Sequence, residues 1–328
     1  MPYEIHNWDE LSQGFQRGTV IIGNGASIAV DGCFRYGSIL EKARELGTFN
    51  EDVERLFGSF DTSDFELILR MVWHAAKVNT SLRIPDQLTR RVYLNVRTAL
   101  IETVRAVHPE YDAVREHLPT MYLFLKQFGT VLSLNYDLLV YWTMMAGLNV
   151  ADDHALKDCF INGSFDDDWA RFRRRYQEAT NTLVFYPHGS LALCRDQNEN
   201  ESKIHSAGAG LLDAILDAWE SEQYIPLFVS EGTAPQKLAS IQNSYYLSVV
   251  FREVLPSLEG SLTIFGWGMG EHDVHLLERL KKSRLNRVAC SVFGRDQAYC
   301  TRADQMIRDA LGQDVEVVFF DSATCGWI

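Results

Sequence analysis

Thr19-Val20-Ile21-Ile22-Gly23-Asn24-Gly25-Ala26-Ser27 is the stretch from which the fold can be read. The β-branched run TVII fits a buried strand, and Gly23-Asn24-Gly25 stops it at a turn. Open α/β sheets bind ligands beyond the carboxyl ends of their strands, where glycines let backbone N–H groups approach a pyrophosphate at a helix N-terminus. A tight strand-to-helix turn with no ligand has the same pattern. The full G-x-G-x-x-G fingerprint is absent.

Outward from this strand, residues 63–126 read as helical. Phe65, Ile68, Leu69 and Val72 form one stripe, and Leu88, Val92, Val96, Leu100 and Val104 form another. Pro85, His108-Pro109 and Pro119 divide the region into three or four helices. We therefore expect one α/β domain over residues 1–328, with a helical insertion at 50–127 between the first and second strands. Strand signals return at Thr130 to Leu134, Leu183 to Tyr186, Pro226 to Val229, Leu262 to Phe265, Arg287 to Phe293 and Val315 to Phe319. Most are short apolar runs without alternation, as in strands covered on both faces. Helical patterns separate them at Leu211 to Glu220, Gln242 to Leu255, Val274 to Lys282 and Gln297 to Leu311. The expected architecture is Rossmann-like, a mostly parallel sheet with helices on both faces. Asp166 to Glu178 reads as a solvated helix and Arg195 to Lys203 as an exposed loop.

Composition narrows the partners. The 328 residues are 46% hydrophobic and carry 31 Lys+Arg against 44 Asp+Glu, a formal charge of −13. Such a field repels nucleic acid and acidic membrane surfaces, although a local basic patch can still hold a phosphate-bearing small molecule. Six scattered cysteines lack any C-x-x-C pair, so neither a zinc ribbon nor a redox pair is expected, and no metal. The first residues lack the pattern of a secretory signal, and no apolar run approaches the roughly 18 residues of a membrane span. We expect a cytoplasmic protein with reduced cysteines. A homo-oligomer and a regulatory protein partner are both left open.

Three further motifs follow strand signals. In Ser133-Leu134-Asn135-Tyr136-Asp137, both Asn135 and Asp137 can face a ligand crevice, or Asp137 can simply cap the next helix. In Tyr186-Pro187-His188-Gly189-Ser190, His188 can exchange a proton near neutral pH, or serve as a structural hydrogen-bonder. Phe265-Gly266-Trp267-Gly268-Met269-Gly270-Glu271-His272-Asp273 combines three glycines with an acid suited to ribose hydroxyls; it also fits a plain loop with Asp273 as an N-cap.

Together these elements resemble the sirtuin-like NAD-binding family. There a G-A-G-x-S-type loop is followed by a T-x-N-Y-D-type motif, an H-G pair and a G-x-S-x-x-D-type loop, matched here by Gly23 to Ser27, Leu134 to Asp137, His188-Gly189 and Gly266 to Asp273. The resemblance spans about residues 19–280. Asn24 replaces the small central residue of the first loop, and Gly268 takes the usual serine position. The paired C-x-x-C zinc module of protein-deacylating sirtuins is missing, which moves the resemblance towards bacterial sirtuin-like NAD hydrolases, many of them antiphage-defence effectors.

The resemblance implies that Gly23, Asn24, Gly25, Ala26, Ser27, Asn135, Gly266, Trp267, Gly268 and Asp273 contact NAD. It further implies that Asn135 holds the nicotinamide ribose or the attacking water, that His188 acts as general base, and that Asp137 orients or stabilises. Nicotinamide leaves as a neutral pyridine, so no strong acid is required, in keeping with the lack of a glycosidase-like carboxylate pair. Other readings are a module that holds NAD or ADP-ribose without cleaving it, an NAD-dependent protein deacylase and, least of all, a dehydrogenase.

Overall fold

The computed structural model describes residues 2–35, 37–173, 180–206, 210–229 and 232–328. Among them, eight strands form one sheet: β1 (Ile5–His6), β2 (Thr19–Ile22), β3 (Thr130–Ser133), β4 (His154–Lys157), β5 (Thr180–Phe185), β6 (Glu259–Phe265), β7 (Arg284–Val292) and β8 (Glu316–Asp321). The order across the sheet is β1-β8-β7-β6-β2-β3-β5-β4, and every neighbouring pair is parallel. All four residues of β2 and all four of β3 are buried. Both faces of the sheet centre are thus covered, which is why these runs lack alternation. The protein is an α/β fold of the Rossmann-like kind.

Between β2 and β3 the chain is helical. Glu51–Ser59, Phe65–Ser81 and Leu88–Val107 are its longer helices, and Leu118–Leu125 returns to the sheet. The stripe at Phe65, Ile68, Leu69 and Val72 is buried, as are Val92, Val96, Leu100 and Val104. On the sheet, Phe124 from the returning helix packs 5.4 Å from the Phe265 ring and 5.7 Å from that of Trp327. Trp8, on the first helix, lies 4.7 Å from Phe320. The helices expected near 211, 274 and 297 run over Gly210–Glu220, Val274–Leu280 and Gln297–Leu311. All six cysteines are free, and only Cys33 is exposed. Among the described residues, no helix is long and apolar enough to cross a membrane.

Three expectations need correcting. Pro226 to Val229 does not join the parallel sheet: Tyr224–Phe228 pairs antiparallel with Gly189–Asp196 in a separate three-stranded sheet. A short apolar run reports burial but not direction. Here Gly189, at φ +76°, turns the chain four residues after β5 ends, too soon for a parallel crossover, so the strand it opens leaves the main sheet and gives Tyr224–Phe228 a partner there. The expected loop at Arg195 to Lys203 instead supplies the end of one strand and Glu201–Lys203 as another. Of the helix expected over Asp166 to Glu178, a helical turn forms at Trp169–Arg173, and residues 174–179 lie outside the described residues.

Arg195 ties this small sheet to the helical region. Its guanidinium, only 2% exposed, donates to Glu66 Oε1 and Glu201 Oε1 at 3.0 Å each and to the Asn243 carbonyl at 3.1 Å. Burial pushes Glu66 up to about 7, the neighbouring Asp64 adds to this, and Arg195 pulls it back. Removing one member of such a buried cluster strands the others. Arg195→Met should destabilise the fold by about 3 kcal/mol, the low end for a broken buried pair because Glu66 can take up a proton; urea unfolding at pH 7 measures it.

Candidate functional site

Strand order reverses at β2, which meets β3 on one side and the late strand β6 on the other. Such a switch point is where open α/β sheets hold ligands, and a cleft of about 310 Å³ opens there. Gly23 N donates to Phe265 O at 2.9 Å, and Gly25 N to Gly266 O at 2.7 Å. A methyl group on Gly23 would stand 2.5 Å from Trp267 Cα, and one on Gly266, at φ +68°, only 2.3 Å from Ala26 N. These glycines therefore serve the close approach of two protein loops to each other. Gly268 and Gly270 are different, because nothing lies within 4 Å of where their side chains would start.

The helix Asn24–Val30 begins at this seam. Two of its first N–H groups are already engaged, Gly25 with Gly266 O and Ala26 with Gly23 O. The loop thus offers a phosphate fewer donors than an open helix start would.

Gly23, Asn24, Gly25, Asn135, Asp137, His188, Gly266, Trp267, Gly268 and Asp273 all line the cleft. Ala26 and Ser27 do not; both are buried behind it. Ser27 has another task. Asn135 Nδ2 donates to Ser27 Oγ at 2.8 Å and to Gly23 O at 3.1 Å, and Ser27 Oγ donates in turn to Asp137 Oδ2 at 2.5 Å. With both amide hydrogens used, the Asn135 ring of contacts fixes its side chain and leaves Oδ1 without a partner among the described residues. Asp137 also accepts from Leu139 N at 2.9 Å. It is thus a brace for Asn135 and for the start of the helix Leu139–Gly147. Burial pushes its carboxyl up to about 6, against the hydrogen bonds from Ser27 and Leu139.

His188 is buried, with Nε2 3.0 Å from His275 Nε2. Burial, and then the Lys237 charge, push its pKa down to about 3; burial likewise pushes His275 down to about 4. Asp273 accepts from Lys237 Nζ at 2.9 Å and from Trp267 Nε1 at 3.0 Å. Burial alone would raise its pKa, but His188, Lys237 and these hydrogen bonds outweigh it and hold the carboxyl below its usual value.

Sequence reasoning does not reach Lys237 and His275. Lys237 lies on the helix Ala234–Gln242, and a single lysine in a helix carries no local signal. His275 stands two residues past Asp273 on Val274–Leu280, where a lone buried His reads as core. His188, Asp273 and His275 also bring one ligand atom each within 4.8 Å of one another. The expectation of no metal, argued from the cysteines, did not weigh this trio.

Residues 20–327 match the family model described as Domain of unknown function (DUF4917), and the chain belongs to that family. No curated protein matches the chain.

Two outcomes follow from the geometry. Gly266→Ala combines a strained positive φ with a clash against backbone, so it should cost about 2–5 kcal/mol by denaturant unfolding. Asp137, with a folded pKa near 6 against 3.8 for the free group, binds a proton more tightly when folded. Its contribution is complete below about pH 4 and lost as the pH rises through about 6, on the order of 2–3 kcal/mol. Lowering the pH from 7 to 5 should therefore widen the stability gap between the wild type and Asp137→Asn; a constant gap in paired melts would contradict the sign.

Proposed function

We propose that the cleft binds NAD and hydrolyses its nicotinamide–ribose bond. The observation that carries this reading is convergence: glycine loops after β2 and β6, Asn135 after β3 and His188 after β5 meet in one cleft at the switch point. That is how a parallel sheet assembles a nucleotide site from distant segments.

In this reading Gly268 and Gly270 border the nucleotide, where bare backbone permits close approach. Positive charge grows on the ribose as the C1′–N bond breaks, and the bonding pair leaves with the pyridine nitrogen. Asn135 Oδ1 is the fixed acceptor that holds a ribose hydroxyl or the incoming water. Water adds to C1′, and its proton passes to the neutral His188 imidazole as general base. The Lys237 ammonium alone would oppose a cationic transition state. Its pairing with Asp273 cancels that field.

A binding module that holds NAD without cleaving it is favoured by one specific contact: His275 already faces the His188 nitrogen that a proton would reach. Purified protein incubated with NAD, with nicotinamide and ADP-ribose followed by chromatography, separates the two. Hydrolysis predicts equal release of both products. A raised melting temperature with NAD but no release leaves the module, and neither effect removes both readings. Asn135→Ala and His188→Ala should each lower release by about 100-fold or more while the protein stays folded. Wild-type rates in both variants would place the chemistry elsewhere.

A further inference from the structure

Where His188 lines the cleft, it meets a second imidazole buried behind it, an arrangement that nucleotide binding does not require. His188 and His275 present Nε2 to Nε2 at 3.0 Å, with ring centroids 5.2 Å apart and planes inclined by 33°. His275 Nδ1 is buried with no hydrogen-bond partner among the described residues. Each neutral imidazole carries one proton on either nitrogen, and in the tautomers that put both on Nδ1 the two Nε2 atoms are free to share a cation.

The third group is Asp273, whose carboxylate oxygen lies within 4.8 Å of the imidazole nitrogens. Lys237 and Trp267 hold it in place, as outer partners orient a ligating carboxylate. With metal–nitrogen bonds of about 2.0–2.1 Å, two nitrogens of a tetrahedral site stand about 3.3–3.4 Å apart, so the 3.0 Å contact opens by a few tenths of an ångström when a metal enters. His188 and Asp273 line the cleft, so a remaining coordination position would face it.

We propose that His188, His275 and Asp273 form a three-ligand site for a divalent transition metal of the zinc class at the floor of the cleft. Two imidazoles and one carboxylate suit zinc, cobalt or nickel. Magnesium and calcium prefer oxygen ligands, and the Lys237 charge cancels that of the one carboxylate. This inference does not rest on NAD cleavage. If both hold, they interact: a metal takes the His188 lone pair, so metal-loaded protein hydrolyses NAD more slowly.

The test is made without NAD. Protein stripped with a chelator is titrated with Co²⁺, read by its visible absorption, and with Zn²⁺ in competition with a chromophoric chelator. One equivalent should bind the wild type. His275→Gln and Asp273→Asn should each weaken it by at least the 10- to 100-fold typical of losing an outer partner. Circular dichroism of each variant confirms that it is folded. Binding well below one equivalent in the wild type overturns the proposal. So does unchanged affinity in a folded His275→Gln protein, which would mark surface binding.

Discussion

Two backbone loops packed against each other without side chains between them set the geometry of this protein. The first leaves β2, the second leaves β6, and their contact is made by Gly23, Gly25 and Gly266. Because a single methyl group at Gly23 or Gly266 would collide with backbone rather than with a movable side chain, neither loop can yield. The separation of the cleft walls is thereby fixed by covalent geometry and hydrogen bonds, which vary little, instead of by side-chain packing, which tolerates substitution. Trp267 follows directly from this contact, and its indole N–H reaches Asp273. Rigidity at the seam thus passes to the charged groups at the cleft floor.

Behind the cleft a second layer does similar work with polar side chains. Ser27 lies in the helix that starts at the seam, yet its hydroxyl spans from Asn135 to Asp137. One hydroxyl therefore couples the loop after β2 to the loop after β3. Buried polar chains of this sort specify a single arrangement when every donor finds an acceptor. Here each of these donors is used, and the Asn135 side-chain oxygen, on a residue that lines the cleft, has no partner among the described residues.

Much of this was legible in the sequence, for an identifiable reason. A strand buried on both faces writes itself as a continuous apolar run, and the glycine turn after it is equally local; TVIIGNG carries both signals within seven residues. What was not legible depends on distance. PLFV at 226–229 has the same apolar content as a parallel strand, and nothing within the run names its antiparallel partner, the strand Gly189–Asp196. Ser27 reads as a ligand contact until Asp137, 110 residues away, is seen to occupy it. Lys237 and His275 gain their meaning from helices that pack around the loop carrying Asp273, and nothing adjacent to either residue announces it.

The position of β2 has a further consequence, for the order in which the molecule can be made. This strand is synthesised well before one of its two neighbours, since β6 begins about 240 residues later, some 12–50 s at about 5–20 residues per second. Closing the first loop takes longer still, since the Ala26 carbonyl receives its hydrogen bond from Trp327, 301 residues along the chain. Until then a hydrophobic strand stands with an unpaired edge, the kind of surface on which nascent chains misassociate. The helices that follow β2 can form from local contacts during that interval. The wall of the cleft built on β2 is consequently finished only when partners hundreds of residues downstream have been made.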